Sequence, residues 1–439
     1  MKMQWNKLLS SKRLGSSECL GDGIRTEYYR DYDRIVFSAS FRRLARKTQV
    51  HPLSFNDHIH NRLTHSIEVS SVGRSLGLAV GLAIKDKLPT DITAVDFASI
   101  IQAACVAHDI GNPPFGHAGE YAIRQWFTEN ENLLNSTLTI AEQNDLKYFE
   151  GNAQGLRIVT QLEGHYKDGG LRLTYATLGA LIKYPWKSDN KLASEKEKFN
   201  VFQSEVDIYS KISEELGLIK LDDERYSRHP LAYLMEAADD ICYKILDIED
   251  ALELDLLRIE DVIPIFKKLS NAAEFNEIND IGSEFSSRKR IVAYRAKVID
   301  NLIREVVAIF EHNYNDIMEG KFEGDLISKV TGDCQVGIQE IKEMTTDKIF
   351  SYRRKIELEV GSYSSIESIL SAFITAINQK IDNIATFKSK RILDLMQDDL
   401  PSGESTTPYE YYMAITDFVS GMTDNYATFI AKQINGNAK

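Results

Sequence analysis

Six of the nine histidines of this 439-residue chain, His51, His58, His60, His65, His108 and His117, fall between residues 51 and 117. Imidazoles gathered in one stretch suit metal ligation or proton transfer near neutral pH, although His58 and His60 also read as loop decoration. His65 and His108 each sit on the apolar stripe of an expected helix, and Asp109 follows His108. Alone, either histidine reads as a core residue satisfied by a carbonyl. A carboxylate beside them raises the stakes, because a charge taken out of water is costly unless paired or bound to a cation. Asp239, in Ala237-Ala238-Asp239-Asp240-Ile241, lies on the inner edge of a third helix, with Tyr243 and Asp247 further along it. By itself it reads as part of a solvated acidic face. Together, His65, His108, Asp109 and Asp239 offer two imidazoles and two carboxylates from three helices. That set suits one divalent ion with positions left open for water and phosphate oxygens. Nitrogen and oxygen ligation without thiolate points to manganese, magnesium or iron rather than structural zinc. His117 and Glu120 stand three residues apart at a helix start, a spacing at which the carboxylate can fix the imidazole tautomer.

The elements that must position these groups are helical nearly throughout, and no sustained alternating pattern of a strand is present. One helix is expected from about Arg62 to Lys85. A second starts at the capping box Thr93 to Asp96 and stops at Gly111 and Pro113-Pro114. A third opens near Gly116, and a strong one runs from Pro230 to about Leu252. The polar stretches Thr128 to Tyr148 and Lys187 to Lys198 read as excursions that bulge from the core. A final helix begins at Thr407-Pro408, with Ile415, Phe418, Val419, Met422 and Tyr426 as its buried stripe. No internal repeat is found. The fold class expected is all-α.

Composition narrows the partners. Lys and Arg number 52 against 65 Asp and Glu, so the net charge of −13 repels polyanions as a whole. A phosphate ligand would need cations concentrated at one site or supplied by a metal. The basic run Arg42, Arg43, Arg46 and Lys47 reads as a solvated helix face, or as a site for a regulatory nucleotide or nucleic acid such as single-stranded DNA. The longest mostly apolar stretch, Val72 to Ile84, is interrupted by Arg74 and Ser75 and is too short to span a bilayer. The first residues carry no apolar signal core, and four cysteines are scattered without paired spacing. A reducing cytoplasm and no membrane partner are expected.

The runs His60-Asn61-Arg62-Leu63-Thr64-His65, His108-Asp109-Ile110-Gly111-Asn112-Pro113-Pro114-Phe115-Gly116-His117-Ala118-Gly119-Glu120 and Ala237 to Ile241 resemble the HD-domain deoxynucleoside triphosphate triphosphohydrolases, in their bacterial dGTPase-like branch. Further matches are Arg25-Thr26-Glu27, Phe41 to Leu44, Lys47 to Val50, Glu150 to Gln154, Lys183-Tyr184-Pro185 and Gly421 to Asp424. The match is weak from about Asp261 to Pro401. The resemblance implies hydrolysis at the α-phosphorus of a deoxynucleoside triphosphate, releasing a deoxynucleoside and intact tripolyphosphate. It implies His65, His108, Asp109 and Asp239 as metal ligands, His117 as general acid or base, and Glu120 as the group that orients it. Arg62, Asn152, Lys183, Tyr184 and Lys198 match phosphate contacts, and Gln49, Tyr243 and Asp247 match positions that hold the deoxyribose. Lys198 lies in the lysine-rich connector and reads equally as solvated. No pattern in the sequence reads the base beyond Val50, which directly follows Gln49.

On this reading residues 1–260 form the HD-type catalytic core. Residues 261–439 form a C-terminal helical region whose last helix returns to it. The resemblance also implies a homo-oligomer with room for a nucleotide effector. Two other readings stand beside the first: another HD phosphohydrolase acting on a monophosphate or signalling nucleotide, and a catalytically silent nucleotide or single-stranded DNA sensor.

Overall fold

The computed structural model describes residues 2–16, 25–50, 56, 58–164, 168–222, 225–271, 275, 287–403 and 405–437. His51 and Cys19 lie outside them. Among the described residues the chain is helical without a strand, and extended segments meet only in isolated bridges such as Thr48 with Asn61. The all-α expectation holds.

Helix α1 (Arg62–Ala83) starts where the Asn61 side chain accepts from the Leu63 and Thr64 amides, while Thr64 Oγ1 accepts from the Asn61 amide. Helix α2 (Ala94–Ala107) starts at the Thr93–Asp96 capping box read from the sequence. The two pack closely because α1 turns a row of glycines toward α2. A Cβ at Gly77 would fall 2.7 Å from Ala98 Cα, and one at Gly73 would overlap the Cys105 side chain. This contact fixes the distance between His65, one turn into α1, and His108, the C-cap of α2. After His108 the chain turns back before helix α3 (His117–Glu129). Phe115 and Gly116 both have positive φ, 65° and 61°, so the residue before α3 must be one that tolerates this backbone.

Helices α4 (Ile140–Lys147) and α5 (Gly151–Arg157) follow. The polar excursions read from the sequence are built into the protein rather than bulging from it. In the first, α4 buries Asp145 and Leu146; in the second, the short helix α6 (Lys191–Lys196) buries Ala193, and Ser188 is buried just before it. Ser188 Oγ, Tyr409 Oη and the Gln203 amide all donate to Asp145, which joins the two excursions and explains why polar residues occupy a packed seam.

Helix α7 (Pro230–Glu253) crosses α1 and α2 and forms one core with them, with α8 (Ile259–Leu269) and with α9 (Ser287–His312). A second core joins α3 to α10 (Arg353–Ile381), whose Ile366, Ile369, Leu370, Phe373, Ile374 and Ile377 are fully buried. By length and composition α10 is the one described helix apolar enough to cross a membrane, but here that apolar face is core. Trp126 Nε1 on α3 donates to Ser371 Oγ on α10 at 2.8 Å. The single terminal helix expected from Thr407 is two, α11 (Pro408–Ser420) and α12 (Asp424–Ile434). Thr423 caps α12 through its side chain, which interrupts the helical stripe and leaves Tyr426 exposed.

Candidate active site

The ends of α1, α2, α3 and α5 and the middle of α7 open onto one cavity of about 390 Å³. Thirteen of the residues singled out from the sequence line it: Gln49, Arg62, His65, His108, Asp109, His117, Glu120, Asn152, Lys183, Tyr184, Lys198, Asp239 and Tyr243. Asp247 does not. It is buried one turn beyond Tyr243, and burial pushes its carboxyl well above the usual range, with Asp250 adding to the effect.

At the floor, Asp239 Oδ1 lies 3.2 Å from His65 Nε2 and 3.3 Å from His108 Nε2, and Asp109 Oδ1 lies 3.5 Å from His108 Nε2. His108 Nδ1 pairs with the Cys105 carbonyl at 2.7 Å, which places one ring proton there and turns Nε2 toward Asp109 and Asp239 as the position for a second proton or a metal. That Nε2 is buried and makes no hydrogen bond. Ligand atoms of His65, His108 and Asp109 lie within 4.8 Å of one another. Two imidazole nitrogens and two carboxylates converging on one point, with an orphaned nitrogen among them, fit a divalent cation. Burial opposes the protonated form of His108, but Asp109 and Asp239 outweigh it and push its pKa up to about 9. Burial likewise opposes the charge on Asp239, and His108, His65 and Lys183 together hold it well below the usual carboxylate range. The cluster therefore attracts positive charge, whether as a proton or as a metal.

Arg62 begins α1 and donates from Nη1 to Asp109 Oδ2 at 2.6 Å. Above the floor, His117 Nδ1 and Glu120 Oε2 are 2.7 Å apart, and Glu120 Oε1 accepts from the Gly151 amide at 2.8 Å. The His117 side chain is 69% exposed while Glu120 is buried, so the imidazole faces open space on a fixed support. Burial works against the Glu120 carboxylate, but Lys198 and His117 hold it well below its ordinary pKa. Held there as a carboxylate, it is placed to accept from the His117 ring. Lys198 is not solvated: its Nζ lies 2.7 Å from Glu150 Oε1 and 4.0 Å from Glu120 Oε2. Glu150 also receives the Asn152 amide and side chain. Asn200 then ties Asn152 to Tyr184, donating to the Asn152 carbonyl and accepting the Tyr184 amide.

Several supporting groups had no role from sequence alone. Asp424, in the Gly421 to Asp424 run, accepts from the Phe115 amide and from the Thr48 amide and hydroxyl, at 2.8, 2.9 and 2.5 Å. It thus fixes the turn before His117 and the strand-like segment before Gln49. Lys47 does not belong to a solvated basic face. It is 3% exposed and donates to the Asn112 and Ser420 carbonyls, with Arg42 and Arg46 alone exposed. Burial and the neighbouring Arg43 lower its pKa to about 7. Asn112 Nδ2 donates to Asp109 Oδ1, so Lys47 supports the acidic ligand through one intermediate. Phe350, Lys355 and Glu359 line the far wall, coming from the weakly matched C-terminal half. In sequence, Glu150 and Asp424 belong to the short runs Glu150 to Gln154 and Gly421 to Asp424, whereas Lys355 and Glu359 belong to none. Of the remaining histidines, His58 is exposed, and His60 is held by Asp250 at 2.6 Å and Glu68 at 3.3 Å, away from the cavity floor.

Comparison with known proteins gives the family. The HD domain family matches residues 62–168, which contain His65, His108, Asp109, His117 and Glu120. A deoxyguanosinetriphosphate triphosphohydrolase-like protein of Pseudomonas aeruginosa is 44% identical over 99% of both chains. A protein of the same description from Synechocystis is 38% identical over 99% of both. The deoxyguanosinetriphosphate triphosphohydrolase of Yersinia enterocolitica is 31% identical over 90% of this chain and 91% of its own. An all-α chain with an HD domain and relatives alike along its whole length is a phosphohydrolase, and it belongs to the HD-domain, deoxyguanosinetriphosphate triphosphohydrolase-like family.

Proposed function

We propose that the protein hydrolyses deoxynucleoside triphosphates, dGTP foremost, to deoxynucleoside and tripolyphosphate in a metal-dependent reaction. The observation that carries this reading is the gathering of the four-donor cluster, the His117–Glu120 pair and the cations Arg62, Lys183 and Lys198 around one cavity. His65, His108, Asp109 and Asp239 would hold the divalent ion, taken as manganese, magnesium or iron. Bound there, such an ion polarises a phosphoryl oxygen and lowers the pKa of water.

The chain's own residues account for the rest of the reaction. The triphosphate brings about four negative charges, which Arg62, Lys183 and Lys198 neutralise inside a protein of net charge −13. Asn152 and Tyr184 place the phosphate chain, braced from behind by Glu150 and Asn200. Water adds to the α-phosphorus as the bond to the 5′-oxygen breaks, and the leaving oxygen takes up a proton. His117 is placed to move that proton through Nε2, because Nδ1 is held by Glu120. Tyr243 stands at the deoxyribose and Gln49 brings a buried, unpartnered Oε1 for a hydroxyl. Asp247, buried behind Tyr243, would back the sugar subsite from outside the cavity lining on this reading.

We read the far wall as the part that meets the base. Phe350 lies 6.5 Å from the Tyr243 ring, and the Lys355 ammonium pairs with the Glu359 carboxylate. A guanine edge has donors for Glu359 at N1 and N2 and an acceptor for Lys355 at O6, whereas adenine reverses the polarity at N1 and N6. The protein is read as cytoplasmic, with Cys105, Cys242 and Cys334 free and buried. A homo-oligomer and a nucleotide effector belong to the same reading.

Chromatography of products from each dNTP and GTP, with Mn²⁺ or Mg²⁺, tests the reaction: deoxynucleoside with tripolyphosphate is expected, and orthophosphate would point to a different phosphohydrolase. Asp239→Ala should lose metal and turnover together, measured by metal analysis of the purified protein. His117→Ala should keep metal and nucleotide binding while turnover falls by roughly 10²–10⁴-fold. Because His108 in the metal-free cluster has a pKa of about 9, a proton must leave as the ion binds. Apparent Mn²⁺ affinity should rise by up to about tenfold per pH unit from 7 toward 9 and level off above it. Calorimetry in two buffers checks this through the proton released per ion, and a pH-independent affinity between 7 and 9 would show that His108 is already neutral in the metal-free cluster. Glu359→Gln should lower the dGTP over dATP preference by about tenfold or more in kcat/KM, with the metal content unchanged.

A further inference from the structure

Lys183 enters the cavity between two carboxylates of α7, 3.5 Å from Glu236 Oε1 and 3.8 Å from Asp239 Oδ2. Glu236 and Asp239 are three residues apart and share a helix face. Asp239 faces the cluster on the cavity floor, but Glu236 does not line the cavity. Its second oxygen lies 2.7 Å from Nη2 of Arg228. Arg228 precedes His229, the N-cap of α7, and its guanidinium lies 4.5 Å from the centre of the Tyr233 ring. Both ends of the Arg228–Glu236 pair are nearly buried, with side chains 11% and 12% exposed.

These four groups form a row of alternating charge: Asp239, Lys183, Glu236, Arg228. A lysine facing phosphate needs its ammonium free, and a lone carboxylate 3.5 Å away competes for it in a poorly solvated site. Arg228 shares that carboxylate from the other side. The two charges pair at 2.7 Å while the guanidinium also lies over the Tyr233 ring. We infer that Arg228 is a positioning residue for substrate binding: by engaging Glu236 from behind, it keeps Lys183 available to the phosphates. The inference rests on Lys183 as a phosphate contact, and neither Arg228 nor Glu236 touches substrate.

Calorimetric binding of inorganic tripolyphosphate to the full-length protein in magnesium buffer separates the two ideas without turnover. Lys183→Met should weaken binding by about tenfold or more; no change would show that Lys183 is not a phosphate contact. With that loss established, Arg228→Met should weaken binding by about three- to tenfold, and Glu236→Gln should tighten it by about two- to fivefold. The double variant Arg228→Met/Glu236→Gln should return to within about twofold of the unaltered protein, and Arg228→Met should add nothing in the Lys183→Met background. A merely structural Arg228 would not be rescued by removing Glu236. The proposal is overturned if Arg228→Met binds normally, or if the double variant binds as weakly as Arg228→Met alone. Should thermal melting show Arg228→Met unfolded, Glu236→Gln decides: unchanged or weaker binding overturns the proposal.

Discussion

Two carboxylates, Asp109 and Asp239, are held against two imidazoles at the meeting point of three helices, and most of the surrounding structure serves that concentration of charge. Neither acid can be withdrawn from water there unless cations answer it. Within the chain the answer comes from Arg62 on one side and Lys183 on the other. A divalent ion fits between them because His108 Nδ1 is taken up by the Cys105 carbonyl, which turns Nε2 toward the two acids. The close α1–α2 contact follows from the same requirement. Larger residues at Gly73 or Gly77 would push the helices apart and separate His65 from His108.

The wider electrostatics answer how a protein of net charge −13 can receive a polyanion. Two of its cavity cations are held by buried carboxylates, Lys198 by Glu150 and Glu120 and Arg62 by Asp109. Arrangement in pairs fixes both before the phosphates arrive, so little side-chain entropy is left to lose on binding. The remainder of the surface stays acidic, which suits a small charged ligand in a cleft better than a long polyanion laid across the surface.

Much of the site was legible in the linear sequence, and the reasons differ by residue. His65, His117 and Glu120 could be placed because helical spacing fixes which residues share a face, and the capping box at Thr93 marks where the helix leading to His108 begins. Lys47 could not be separated from Arg42, Arg43 and Arg46 by pattern, since only packing decides which member of a basic run is buried. Lys198 was ambiguous for the same reason. The terminal helix was misjudged because Thr423 is an ordinary polar residue until its side chain is seen to cap α12. Asp247 matched a family position, yet it stands behind Tyr243 rather than on the cavity lining.

By itself, then, the sequence determined the helical class, the starts of the helices that carry the chemistry, and the types of group available for it. Those properties depend on local spacing and on composition, which chain order already contains. Only the tertiary structure decided that Asp424 supports the turn before His117, that Phe350, Lys355 and Glu359 close the far wall, and that Arg228 answers Glu236 behind Lys183. These partners are separated by up to about three hundred residues along the chain, as with Asp424 and Phe115. Their meeting depends on how two hydrophobic cores pack against a shared cavity, and no local periodicity records it.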